Sequence, residues 1–180
     1  VDLKALKKGF TTVSVSQLAQ KDVYQSNITS DIVTPLAGLG ELKIGDETFL
    51  TEGKTYKQLA DEITAKSGMN ASVEQVGTNS YRLVIKSEES GIDNALSITG
   101  AASQALGYTT DGTAINTSNH ILEAKNMLAK VDGVDYNVSS NNITVDGLKI
   151  TANKVDTSGS NSTINIAEDN TQVETLMNNF

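Results

Sequence analysis

Residues 129–145 read AKVDGVDYNVSSNNITV. A strand-like run reaches Val131, turns at Asp132-Gly133, returns through Val134, Tyr136 and Val138, and meets the polar patch Ser139-Ser140-Asn141-Asn142. Asp-Gly between alternating apolar residues is a strong hairpin signal, because both turn positions take φ > 0. A two-stranded hairpin is marginal in water and needs further strands. The nearest candidate lies far upstream, in VSVSQLAQ (Val13–Gln20). There Val13 and Val15 share one face of a strand, expected to run as one long, bulged element over residues 11–26.

Between these ends the chain reads as a separate unit. SDIVTPLAGLG (Ser30–Gly40) carries the only Pro and reads as a crossing, and DGTAINTSN (Asp111–Asn119) reads as a second. Glu41–Leu50 predicts a hairpin turning at Gly45-Asp46. Thr55–Ser67 predicts a helix, with Tyr56, Leu59, Ala60 and Ile63 on one stripe. Thr55 and Gln58 have capping-box spacing, and Gly68 supplies the stop. Strands are expected at 71–76, 80–87 and 95–99, with a helical turn at 103–106. Further strands are expected at 128–131, 134–138, 148–152 and 163–167. TQVETLMNNF at the end has helical spacing and reads as the start of a stem helix over 169–180. A lone strand at 11–26 cannot stand alone, so one domain inserted into another fits better than two in tandem. The expected class is α+β and β-rich: two small domains of antiparallel strands with one or two helices, the second inserted into the first.

Composition narrows the function. Of the 180 residues none is Cys, which excludes disulfides and thiolate metal sites. A net charge of −8, one Arg (Arg82) and lysines scattered apart from Lys4, Lys7 and Lys8 argue against nucleic acid. No apolar run is long enough to span a bilayer as a helix, so no membrane insertion is expected. The chain starts at Val1 without Met or a signal-peptide pattern, and is read as a piece of a longer protein. The Ser/Thr/Asn bias with few aromatics suits a β-rich surface protein.

No constellation for catalysis emerges. His120 is the single His, too few for a triad or a His-based metal site, and reads as structural or exposed. Glu88, Glu89 and Asp93 invite a glycosidase-like carboxylate reading, but read better as a solvated turn after a strand. Asp132–Asn137 and Asp156–Asn161 offer oxygen ligands without an EF-hand pattern, and read as turns. No phosphate-binding glycine loop is present. Triplets such as Asn27-Ile28-Thr29 and Asn137-Val138-Ser139 follow from an Asn-rich composition. The expectation is no enzyme, no catalytic residue, no metal and no cofactor.

Four stretches taken together resemble the head region of the bacterial flagellar filament cap family. They are VSVSQLAQKDVYQS (Val13–Ser26), KTYKQLADEI (Lys54–Ile63), YRLVIKSEESGIDNAL (Tyr81–Leu96) and DGVDYNVSSN (Asp132–Asn141). The third has Gly91 and Asn94 at the family's marked places. In the fourth, Val138 stands where the family commonly has Arg. The segment after Asn142 is shorter than usual and lacks the family's Ile-Pro-Gly turn. The resemblance implies an inner head domain of residues 1–33 plus 120–168 and an outer, inserted one of 36–117. It also implies a secreted, extracellular homo-oligomer at the distal tip of the flagellum, exported by the flagellar type III apparatus. There the full-length protein would promote flagellin assembly for motility, its helical legs docking on the filament. Flagellin and further copies of itself are the implied partners. Two alternatives stay open. One is an adhesion module for host mucin or glycans; the other is a different flagellar subunit, such as a hook–filament junction protein.

Overall fold

The computed structural model describes residues 9–156, 162–166 and 173–176. In chain order the elements begin with β1 (Gly9–Gln17), β2 (Val23–Gln25), β3 (Glu41–Ile44), β4 (Glu47–Leu50) and α1 (Tyr56–Thr64). They continue with β5 (Met69–Gly77), β6 (Ser80–Ser87), β7 (Ile98–Thr99), α2 (Ala101–Leu106) and β8 (His120–Leu122). The last strands are β9 (Met127–Val131), β10 (Val134–Val138), β11 (Asn142–Val145), β12 (Leu148–Ala152), β13 (Ser162–Ile166) and β14 (Val173–Leu176). The fold is α+β and strand-rich, with mostly antiparallel pairing.

The chain divides into two compact units. The first comprises Val1–Gln20, Ser90–Asp93 and Lys125–Phe180; the second comprises Lys21–Glu89 and Asn94–Ala124. The boundaries differ from those expected. Residues 21–33 and 120–124 fall in the second unit, because β2 pairs with β6 on one side and β8 on the other. The single strand expected over 11–26 is therefore two strands, β1 and β2, in different sheets. The blurred period at Leu18-Ala19 marks the break, and β1 is already bulged between Val15 and Gln17.

In the first unit, β10, β9, β1 and β13 form one antiparallel sheet in that order. The Asp132-Gly133 hairpin joins β9 to β10, with φ of 48° and 85° at the two turn residues. A second hairpin, β11–β12, turns at Asp146-Gly147 with φ of 51° and 78°. It uses the same Asp-Gly signal, and its first strand begins at Asn142 inside the stretch read as a polar patch. The expected stem helix is absent at 173–176, where β14 lies parallel to β12; the rest of 169–180 is outside the described residues. Parallel pairing satisfies that backbone through a neighbour, which ten residues of helical spacing cannot reveal. The core gathers Val13, Val15, Met127, Val131, Ile143, Leu148 and Ile150, with Val138 packed at its margin.

In the second unit, β5-β6-β2-β8 and β4-β3-β7 form two sheets around a larger core. Helix α1 forms as its spacing predicts: Thr55 Oγ1 accepts from Gln58 N–H, and Gln58 Oε1 accepts from Thr55 N–H. Its buried stripe is Tyr56, Leu59, Ala60 and Ile63. Thr64, in its last turn, accepts from Ala71 N–H and donates to Ala71 O, both at 3.0 Å, on the outer edge of β5. The strand expected at 95–99 shrinks to Ile98–Thr99, because Ile92–Asn94 forms a 3₁₀ turn and Leu96 N–H donates to a carboxylate.

Candidate functional site

Two polar clusters hold the units' distant segments, one in each unit. In the first, Asn141 reaches Ala19 across 122 positions: its Oδ1 accepts from Ala19 N–H at 2.7 Å and its Nδ2 donates to Ala19 O at 3.2 Å. An amide side chain suits this role because it matches both faces of a peptide group. Asp132 repeats the pattern on Thr12, its Oδ1 accepting from Thr12 N–H and its own N–H donating to Thr12 O, both at 2.9 Å. Asp156 Oδ2 accepts from Val15 N–H at 2.7 Å. Gln20 and Lys125 exchange backbone bonds at 2.9 and 3.0 Å. Two sequence stretches, VSVSQLAQ and DGVDYNVSSN, are thus bound to each other.

A third stretch joins them. Ser90 Oγ donates to Ser139 O at 2.7 Å, Gly91 N–H donates to Gln20 O at 3.2 Å, and Ile92 N–H donates to Asn126 Oδ1 at 2.8 Å. Gly91 is the place for glycine: its φ is 103°, and a Cβ there would lie 2.5 Å from Ser139 Cβ.

In the second unit the centre is Asp22, 2 % exposed. Its Oδ1 accepts from Ala124 N–H at 3.1 Å and lies 2.6 Å from His120 Nε2; its Oδ2 accepts from Leu96 N–H at 2.8 Å. Its backbone exchanges bonds with Ser87. The His120 ring stacks on Tyr24 at 4.0 Å between centroids. Burial, then the Asp22 carboxylate, push the Tyr24 phenol well above its usual value, the reverse of an activated phenolate. His120 is thus held in place, as its structural reading requires. Nearby, Arg82 donates to Ser26 O at 2.7 Å, and Asn119 Nδ2 donates to Asn27 Oδ1 and Gly107 O, both at 2.8 Å.

The other candidates make individual contacts with neighbouring chain. Glu88 Oε1 accepts from Gly68 N–H, Glu89 O accepts from Ser87 Oγ, and Asp93 sits in the 3₁₀ turn. Asp132 is spent on Thr12, and of 156–161 only Asp156 is described. Among the described residues no group of three or more His, Cys, Asp or Glu could hold a metal ion. A groove of about 480 Å³ lies over β1, β9 and β10, lined by Ser14, Ser16, Leu128, Lys130, Asp135 and Asn137 among others. Sequence reasoning missed Asn141 and Asp22 as organising residues, although both lie inside stretches it singled out. Most of the contacts in these clusters are to backbone groups.

The chain is an interrupted, strand-rich double unit held by such clasps, and it is similar to solved head domains of flagellar cap proteins. The particular match is to flagellar hook-associated protein 2, the flagellar cap protein FliD. The Escherichia coli K12 protein of that name is 29% identical over 151 residues, covering 75% of this chain and 32% of the relative. That of Campylobacter jejuni is 31% identical over 181 residues, covering 77% and 28%. The D2–D3 domains of the E. coli cap protein superpose with a TM-score of 0.70 at 28% identity, covering 91% of this chain and 89% of theirs. The chain spans about a third of the length of these curated relatives. No family profile matches the chain.

Proposed function

We propose that this chain is the head region of a flagellar filament cap, working without catalysis as part of a homo-oligomer at the distal, extracellular tip. There it would assist flagellin to add to the filament and so support motility, after export through the flagellar type III route. The observation that carries this reading is the near end-to-end match to the D2–D3 head domains of the E. coli cap protein. In the same reading the first unit is the inner head domain and the second the outer. A polar, acidic surface with net charge −8 suits proteins that must slide past exported subunits without sticking.

The test is complementation. A cap-null derivative of a motile strain of the source bacterium receives the full-length gene with or without residues 9–156, and swimming and filament length are measured. Loss of both without the head, with a tagged full-length protein found at filament tips, is the expected result. Tip labelling absent in a motile strain overturns the reading. Binding of the isolated head to a mucin glycan array would instead favour the adhesion alternative.

A further inference from the structure

Ser90–Asp93 belongs to the first unit, whereas the residues on both sides of it belong to the second. The chain thus visits the first unit three times, the short second visit lying between the segments ending at Gln20 and starting at Lys125. All three meet at one point. Gln20 O accepts from both Lys125 N–H and Gly91 N–H, and Ser90 and Ile92 bond Ser139 and Asn126. In the second unit, Asp22 bonds the roots of this strap on both sides: Ser87 before it and Leu96 after it, as well as Ala124 where the chain returns.

We propose that Ser90–Asp93 is a coupling strap, which makes the stability of the first unit conditional on the folded second unit. The physical argument is preorganisation. With the second unit folded, Asp22 holds Ser87 and Leu96, so the strap is a short, shaped loop ready to dock. With it unfolded, the same four residues lie in a flexible chain and must be ordered at the moment of docking, with an entropic penalty. Chain connectivity at Gln20 and Lys125 alone would couple the units more weakly, because loop-closure entropy grows only slowly with loop length. Gly91 is the residue that makes docking possible: any side chain would collide with Ser139, whose Cα and carbonyl oxygen would lie 2.8 and 2.9 Å from the added Cβ.

The test is amide hydrogen exchange on the whole chain, in a two-by-two design. Leu59→Ala loosens the second unit's core, and Gly91→Ala expels the strap. Without Gly91→Ala, the core variant should speed exchange at the first-unit amides of Lys125 and Ala152, which bond Gln20 and Asn141, by on the order of tenfold. In the Gly91→Ala background that response should fall to about a third of it or less. Equal responses in the two backgrounds overturn the proposal and leave the coupling to the chain ends. So does a Leu59→Ala effect confined to second-unit amides. Should Gly91→Ala fail to fold, Ser90→Ala removes one strap bond without a collision and should weaken the same response in the same direction; no change there also overturns it.

Discussion

The two units solve the same problem with different materials. The second buries Tyr24, Phe49, Tyr56 and Tyr108 together with Leu42, Ile44, Leu59, Ile63, Leu83 and Ile85. The described core of the first has no fully buried aromatic and relies on Val, Ile, Ala, Leu and Met. What it lacks in large side chains it replaces with directed polar bonds between segments more than a hundred residues apart, at Asn141–Ala19, Asp132–Thr12 and Asp156–Val15. Burial is tolerant of small rearrangements; a hydrogen bond to a buried amide is not, because its loss strands the partner. A unit made from three chain segments gains specificity from the second kind of contact. A unit that is nearly continuous can depend on the first.

The sharpest way to break the contrast is alkali. Burial pushes the phenols of Tyr24, Tyr56 and Tyr108 above their ordinary value, with the Asp22 carboxylate adding to the effect at Tyr24. All three lie in the second unit. A group whose folded pKa is raised contributes stability below its unfolded pKa, and that contribution is lost as pH rises above it. Denaturant titrations should therefore show the second unit losing its cooperative transition above about pH 10. Phenolate absorbance appearing while second-unit amides stay protected would contradict this. Next in size, Ile63→Ala in the second core should destabilise it by about 3–4 kcal/mol, since the side chain is fully buried. Asp22→Ala should follow at about 3 kcal/mol, because it strands the N–H groups of Leu96 and Ala124.

In the first unit, whose core holds no fully buried aromatic, polar changes should be the main source of effects. Asn141→Ala strands both backbone groups of Ala19 and should remove about 2 kcal/mol. Asn141→Asp keeps the acceptor and loses the donor, so it should do less well than Asn and better than Ala. Equal effects of Ala and Asp on the first-unit midpoint would show that packing, not the paired bonds, matters there. Smallest is Thr55→Ala, which removes the cap of α1 and should lower second-unit stability by about 1 kcal/mol, visible as a shifted denaturant midpoint at constant slope.

What could be read without the structure follows from range. Helix α1 and the Asp-Gly turn at 132–133 are written in residues that touch their own neighbours, so local rules reach them. The same rule was available at Asp146-Gly147 and would have uncovered β11. Asn141, Asp22 and Gly91 are different. Their partners lie 122, 98 and 48 positions away in the contacts with Ala19, His120 and Ser139, and nothing in their immediate surroundings names those partners. The division at Gln20/Lys21 was invisible for a related reason: β2 owes its place to β6 and β8, which the local alternation of 11–26 does not contain. The four motifs still located the right stretches, because residues that bind across long separations were among those that gave the stretches their character.

Thr64 carries a last consequence. Strand β5 is the outermost of its sheet, and an open edge of that kind is a template on which another copy's strand can grow. The Thr64 hydroxyl occupies both backbone groups of Ala71, so the ladder is already closed partway along. A single hydroxyl at the end of a helix thereby acts as a stopper against runaway strand exchange. An unguarded edge in a strand-rich protein is otherwise an invitation to pair with another chain.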